Sequence, residues 1–262
     1  MKAFSQCYQF IAFIVVIAVV MFTATSCQDD PPEGTDFSED RQYLPMGNIG
    51  SYWEYQMDST LYDNFGATIT ESVGYERHEV INVESSTPGD TTYTVLLQRR
   101  RDLNSNWLND KQYRIEIGLD GNVNTTIDNL RFLNMKIPAM EMTSWEGILF
   151  DPENVIEIIE GEILNTYRNW QYEIEARGIT VNAFGVEMTD CIDVREADVS
   201  TLIDRRLSHA FYCRGIGLVR LERSILDSQC FNTNPDCEFE PWEVKADKGY
   251  IMVQSLMEYS IL

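Results

Sequence analysis

The sequence predicts a mainly β protein: a large curved antiparallel sheet forming an open or half barrel, with little helix. Three observations carry this expectation. Apolar and polar residues alternate with period two over many short stretches, the pattern of strands buried on one face. Turn residues punctuate these stretches closely enough for nine to twelve strands, which curl into an open or closed barrel. Helix signals are scarce.

In chain order, Trp53, Tyr55 and Met57 alternate with Glu54, Gln56 and Asp58, and strands follow near residues 68–83 and 91–101. Tyr113, Ile115, Ile117 and Leu119 alternate with Arg114, Glu116 and Gly118. That run ends at Asp120-Gly121, a tight-turn signal leading into residues 123–127 and so a hairpin. Further strands are expected over 129–137 and 148–164. Within the latter, Asp151-Pro152-Glu153 fits the start of a capped helical turn. The β-rich Val155, Ile156, Ile158, Ile159 and Ile163 favour strand instead. Trp170, Tyr172, Ile174 and Ala176 alternate with Gln171, Glu173, Glu175 and Arg177, before Gly178 marks a turn. The remaining strands are expected over 181–194, 206–223 and 249–262, with 197–205 read as a loop or one helical turn.

The N-terminus reads as an address. Met1-Lys2 is followed by an uncharged apolar run from Phe10 to Phe22, the length of a signal-peptide core rather than of a spanning helix. Ala24, Thr25 and Ser26 directly precede Cys27, which resembles the lipobox of bacterial lipoproteins, with Ala24 where that pattern usually has leucine. The resemblance implies a diacylglycerol on the Cys27 sulfur; acyl chains there, palmitate among them, hold a protein stably once two or more are present. Gln28-Asp29-Asp30 resembles the acidic tag of surface-exposed lipoproteins of the Bacteroidetes type. The expected organisation is a lipoprotein signal peptide over 1–27, an acidic flexible linker over 28–42 and a single β-domain over 43–262. The expected location is the outer membrane, facing either the cell surface or the periplasm.

Twenty basic residues against forty-two acidic ones give a formal charge of −22, and loss of Lys2 with the leader makes it −23. Nucleic acid and bare anionic membrane are therefore poor partners. Beyond Cys7 and Cys27, four cysteines remain: Cys191, Cys213, Cys230 and Cys237. An even set entering an oxidising compartment suggests two disulfides. Cys230 and Cys237 flank a turn-rich loop that could close on itself, which would leave Cys191 for Cys213; four cysteines allow three pairings. A zinc site lacks both a C-x-x-C pair and a nearby histidine.

Gly47-Asn48-Ile49-Gly50-Ser51-Tyr52-Trp53-Glu54-Tyr55 resembles the opening strand of uncharacterised secreted lipoproteins of the Bacteroidetes type. Residues 179–194 and 211–220, with Asp190-Cys191 and Gly215-Ile216-Gly217-Leu218-Val219, are similar to the closing strands of the same proteins. The resemblance implies a curved antiparallel sheet akin to the half-barrel of lipoprotein carriers such as LolA and LolB. Cys213 and the Cys230 to Cys237 loop depart from that pattern. Gly215 and Gly217 suit a bulge or close approach in a curved strand.

No reactive constellation stands out, no cofactor or metal is expected, and the chain reads as a non-enzyme. His209 alternates with Leu207, Phe211 and Cys213, a core or edge position, whereas His78 reads as lying on a solvated strand face. Asp102, Asn104 and Asn106, and Asp120, Asn122 and Asn124, have oxygen-ligand spacing, but Trp107 and Tyr113 stand where an EF-hand needs glycine and glutamate. The five tryptophans, Trp53, Trp107, Trp145, Trp170 and Trp242, read as core more than as sugar-stacking platforms. Met135, Met140 and Met142 near Trp145 suggest either adaptable packing or a flexible apolar pocket. Two functions follow: a membrane-anchored binding module holding an apolar or amphipathic ligand, which requires an open apolar concavity, or a surface adhesion component binding glycan or an outer-membrane partner, which requires a filled interior.

Overall fold

In the first strand, β1 (Tyr52–Asp63), Trp53 and Tyr55 are buried on one face, while Glu54 between them is covered on the other face by Arg77 and Arg100. The same alternation recurs through the computed structural model, which describes residues 39–87, 90–159, 161–232 and 234–262. The signal segment, Cys27 and the linker up to residue 38 lie outside the described residues.

The strands that follow are β2 (Thr68–Thr87), β3 (Asp90–Arg100), β4 (Leu108–Ile117), β5 (Asn122–Ile127), β6 (Leu130–Lys136) and β7 (Ser144–Trp145). After a small separate hairpin, β8 (Glu157–Ile159) and β9 (Glu162–Leu164), come β10 (Tyr172–Ala183), β11 (Val186–Ser200), β12 (Asp204–Cys213), β13 (Gly217–Asp227) and β14 (Lys248–Ser260). Twelve of them form one antiparallel sheet in the order β6-β5-β4-β3-β2-β1-β14-β13-β12-β11-β10-β7. It is the expected open curved sheet, and the only α-helix among the described residues is one turn, α1 (Trp242–Lys245).

Among the described residues no ladder closes the sheet into a barrel, but one short segment touches both edges. Residues 142–145 pair with β10: the Met142 amide donates to the Ile174 carbonyl, the Ile174 amide to Thr143, and Trp145 lies opposite Tyr172. Two residues later the chain crosses to β6, where the Leu133 amide donates to the Gly147 carbonyl at 2.8 Å and Phe132 bridges Ile148. Gly147 is required at the crossing, because a Cβ there would lie 2.1 Å from the Tyr172 ring.

Several expected boundaries shift, each for a local reason. The single strands expected over 181–194 and 206–223 are hairpins. They turn at Phe184-Gly185, both with positive φ, and at Arg214 to Ile216, where Gly215 has φ +73°. Gly215 thus sits in a turn. Gly178 does not end its strand; with φ +69° it sits among register shifts inside β10, a bulge that bends the strand. Residues 197–200 continue β11 and β12 begins at Asp204, so the loop expected over 197–205 shrinks to residues 201–203. The stretch 148–164 is no single strand: Asp151 accepts a hydrogen bond from the Glu153 amide and caps a 3-10 turn at Pro152–Asn154, ahead of β8 and β9.

The packed chain begins before Tyr43. Asp40, within the expected linker, is buried and accepts from the Ala139 amide at 2.9 Å and from the Arg177 guanidinium at 2.6 and 3.1 Å. Beside it Tyr43 is fully buried, and its hydroxyl donates to Asp190, which also holds Arg214. These bonds clamp the segment across the sheet.

Candidate functional site

The concave face of the sheet encloses a cavity of about 460 Å³, within the range of small-molecule sites. One wall is the N-terminal segment at Leu44, Pro45 and Met46. The opposite walls come from inward side chains of β1 to β6, β10 and β12 to β14, including Val95, Ile115, Val123 and Leu221. These residues face inward because the strands alternate, and the sheet's curvature brings distant strands into one lining.

Polar groups sit at fixed places in this apolar lining. On β2, His78 points inward, contrary to the solvated face expected for it: its Nδ1 lies 2.8 Å from the Tyr113 hydroxyl. Its neighbour on the same face, Glu76, is buried and accepts from Arg99 at 2.9 Å. Burial alone would push the Glu76 carboxyl up, but His78 and Arg99 outweigh it and hold it below the usual carboxylate range. That compensation is why a polar pair is tolerated on the inner face.

A second polar group lies across the cavity. Arg223 of β13 donates to Glu196 at 3.0 Å and to Ser208 at 3.1 Å, while the Ser208 hydroxyl donates to the same Glu196 oxygen at 2.6 Å. Glu196 and Ser208 are buried, so this ion pair is an internal one. Burial opposes the Arg223 charge, but Glu196 and the surrounding tyrosines hold its pKa above the ordinary value. Glu157 lines the same region and accepts from Thr166 and Tyr167. Burial pushes the nearby Tyr250 phenol up to about 12, so it is neutral at physiological pH.

β12 corrects a second expectation. Arg206, Ser208, Ala210 and Tyr212 are its buried set, and Leu207, His209 and Phe211 are half-buried on the other face. His209 therefore lies outside, with Nδ1 3.0 Å from Asp193 and 3.9 Å from Glu175. The ligand atoms of these three residues lie within 4.8 Å of one another, a grouping invisible in the sequence because it spans β10, β11 and β12. Arg195 pairs with Glu175 at its rim, so the cluster is internally charge-matched.

The other candidates scatter. Trp53, Trp145, Trp170 and Trp242 are buried, and Trp107 stacks under Arg100 with the guanidinium carbon 4.1 Å from its ring centre. Met135 is buried but Met140 and Met142 are exposed, so the three methionines build no common pocket. Asp102 and Asp120 cap their own turns, accepting from Asn104 and Ser105 and from Asn122. Disulfides join Cys191 to Cys213 across β11 and β12, and Cys230 to Cys237.

No protein-family model and no curated protein matches the chain. Two solved structures are similar to it, each at 13% identity over 83% of this chain and 98% of the other. One, a protein from Bacteroides fragilis assigned as exported and having a YmcC-like fold, aligns with a TM-score of 0.40. The other, a protein from Parabacteroides distasonis assigned as a lipoprotein, aligns with a TM-score of 0.33.

Proposed function

We propose that this chain is a non-enzymatic binding module, tethered to the outer membrane through lipid on Cys27, that holds an apolar or amphipathic ligand in the concavity of its sheet. The observation that carries the reading is the cavity of about 460 Å³, walled mainly by apolar side chains. A carrier of such ligands needs an unfilled apolar interior. The adhesion alternative needs a filled interior, so the cavity favours the carrier.

The test is native mass spectrometry of protein purified from its own cells, in the wild type and in Cys27→Ser. The wild type should retain a small amphipathic species and fractionate with membranes, and the variant should retain the same species but leave the membrane. A ligand-free wild type would overturn the binding role, and membrane retention of the variant at unchanged gel mobility would overturn the tether.

A further inference from the structure

Two tyrosines define what the cavity is built to hold. Tyr172 of β10 and Tyr212 of β12 line it and are 1% and 7% exposed. Neither hydroxyl has a hydrogen-bond partner among the described residues, and neither oxygen is sealed off within the protein, so both remain accessible donors in the lining. Other tyrosines of the same lining are satisfied, Tyr55 by the Leu218 carbonyl, Tyr113 by His78 and Tyr167 by Glu157. The carbonyl oxygen of Asn134, also in the lining, is buried without a partner. Buried polar groups are nearly always paired, so the orphaned Asn134 oxygen and two open phenol donors in one lining suit a polar occupant.

We propose, resting on the binding role above, that the ligand is a neutral amphiphile whose head carries an acceptor oxygen, such as an ester or amide carbonyl, seated against Tyr172 and Tyr212 with its chain on the apolar wall. Two buried phenols each offer one O–H donor to such an oxygen. The charges beside them select against an anion. Both arginines of the lining are already paired, Arg223 with Glu196 and Arg99 with Glu76 and Asp110, and the carboxylates of Glu157 and Asp128 belong to the same lining. A carboxylate or phosphate head would find no unpaired arginine in the lining and would meet these carboxylates at close range. A plain hydrocarbon would leave both hydroxyls unpaired.

Diphenylhexatriene, a hydrocarbon that fluoresces in apolar sites, reports the cavity without engaging the tyrosines. Its displacement by 1-monodecanoylglycerol and by decanoate, both below their aggregation concentrations, reads the head preference. The ester should compete at least ~10-fold better than decanoate. The double variant Tyr172→Phe, Tyr212→Phe should take up the probe as before but bind the ester about tenfold more weakly, as expected for two hydrogen bonds of ordinary net strength. The removed hydroxyls bond to no described residue, so the variant should unfold at the wild-type denaturant concentration. If the probe enters but decanoate competes as well as the ester, or the double variant binds the ester unchanged, the head assignment is overturned and the cavity reading stands. If neither probe nor ester binds, both fall.

Discussion

Trp145 donates its indole N–H to the Leu133 carbonyl at 2.7 Å while its own backbone lies opposite Tyr172. One residue of β7, the strand at one end of the sheet, thereby joins its neighbour β10 to β6, the strand at the other end. A sheet edge otherwise presents unpaired backbone groups, and here residues 142–149 cover both.

This joint has a measurable cost of removal. Trp145 is buried, so Trp145→Ala should destabilise the protein by roughly 3–5 kcal/mol. Trp145→Phe, which keeps most of the packing but loses the indole donor, should cost about 1 kcal/mol from that bond. Hydrogen exchange should speed up at Leu133 in both variants. Unchanged exchange there in Trp145→Ala would show that the segment does not hold the edge.

The clamp between Asp40 and Arg177 is the second test. Removing one partner of a buried ion pair typically costs 3–5 kcal/mol; Arg177 is about a third exposed, so roughly 1–3 kcal/mol is expected for Asp40→Ala. The loss also strands the Ala139 amide. Urea denaturation of the two single variants and the double variant should show coupling between the sites. Additive effects would mean that the contact contributes nothing of its own.

His209 links stability to pH. Burial lowers its pKa, but the hydrogen bond and charge of Asp193, with Glu175 and Glu222, raise it above the ordinary histidine value of 6.5. A raised folded-state pKa means that the stabilisation is fully present below the unfolded value and fades as pH rises through the folded one. The stability gap between wild type and His209→Gln should therefore be largest near pH 5.5 and shrink towards pH 8. A gap that grows with pH would reverse the assignment.

The disulfides should differ in weight. Closing the chain between Cys191 and Cys213, a sequence separation of 22, stabilises by about 3 kcal/mol on chain entropy, against roughly 2 kcal/mol for the separation of 7 from Cys230 to Cys237. Paired Cys→Ala variants, compared by denaturation, check the order. Peptide mapping without reductant checks the pairing; any Cys191 to Cys230 or Cys237 peptide would contradict it.

Much of the wall was legible in the sequence, because one-sided burial writes period two directly into Trp53 and Tyr55 or Tyr113 and Ile115. The polar members of the inner face were not. On β12 the inward set includes Arg206 and Ser208, so the apolar Leu207 and Phe211 suggested the opposite orientation for His209. His78 looked solvent-facing because its partner, Tyr113, comes from another strand. The turns at Phe184-Gly185 and Arg214 to Ile216 were hidden inside long β-rich runs. Tyr172 and Tyr212, the residues most telling about the ligand, look like ordinary core tyrosines until their missing partners are seen in space.

The cavity itself is tested most directly by filling it. Leu130 and Leu218 line it and are only half-buried, so tryptophan at either position should take up cavity space. Titration with diphenylhexatriene should give saturable fluorescence at one equivalent in the wild type and lose most of it in Leu130→Trp and Leu218→Trp, with unfolding transitions unchanged. Uptake undiminished in both filled variants, or none in the wild type, would contradict a ligand held in the curve of the sheet.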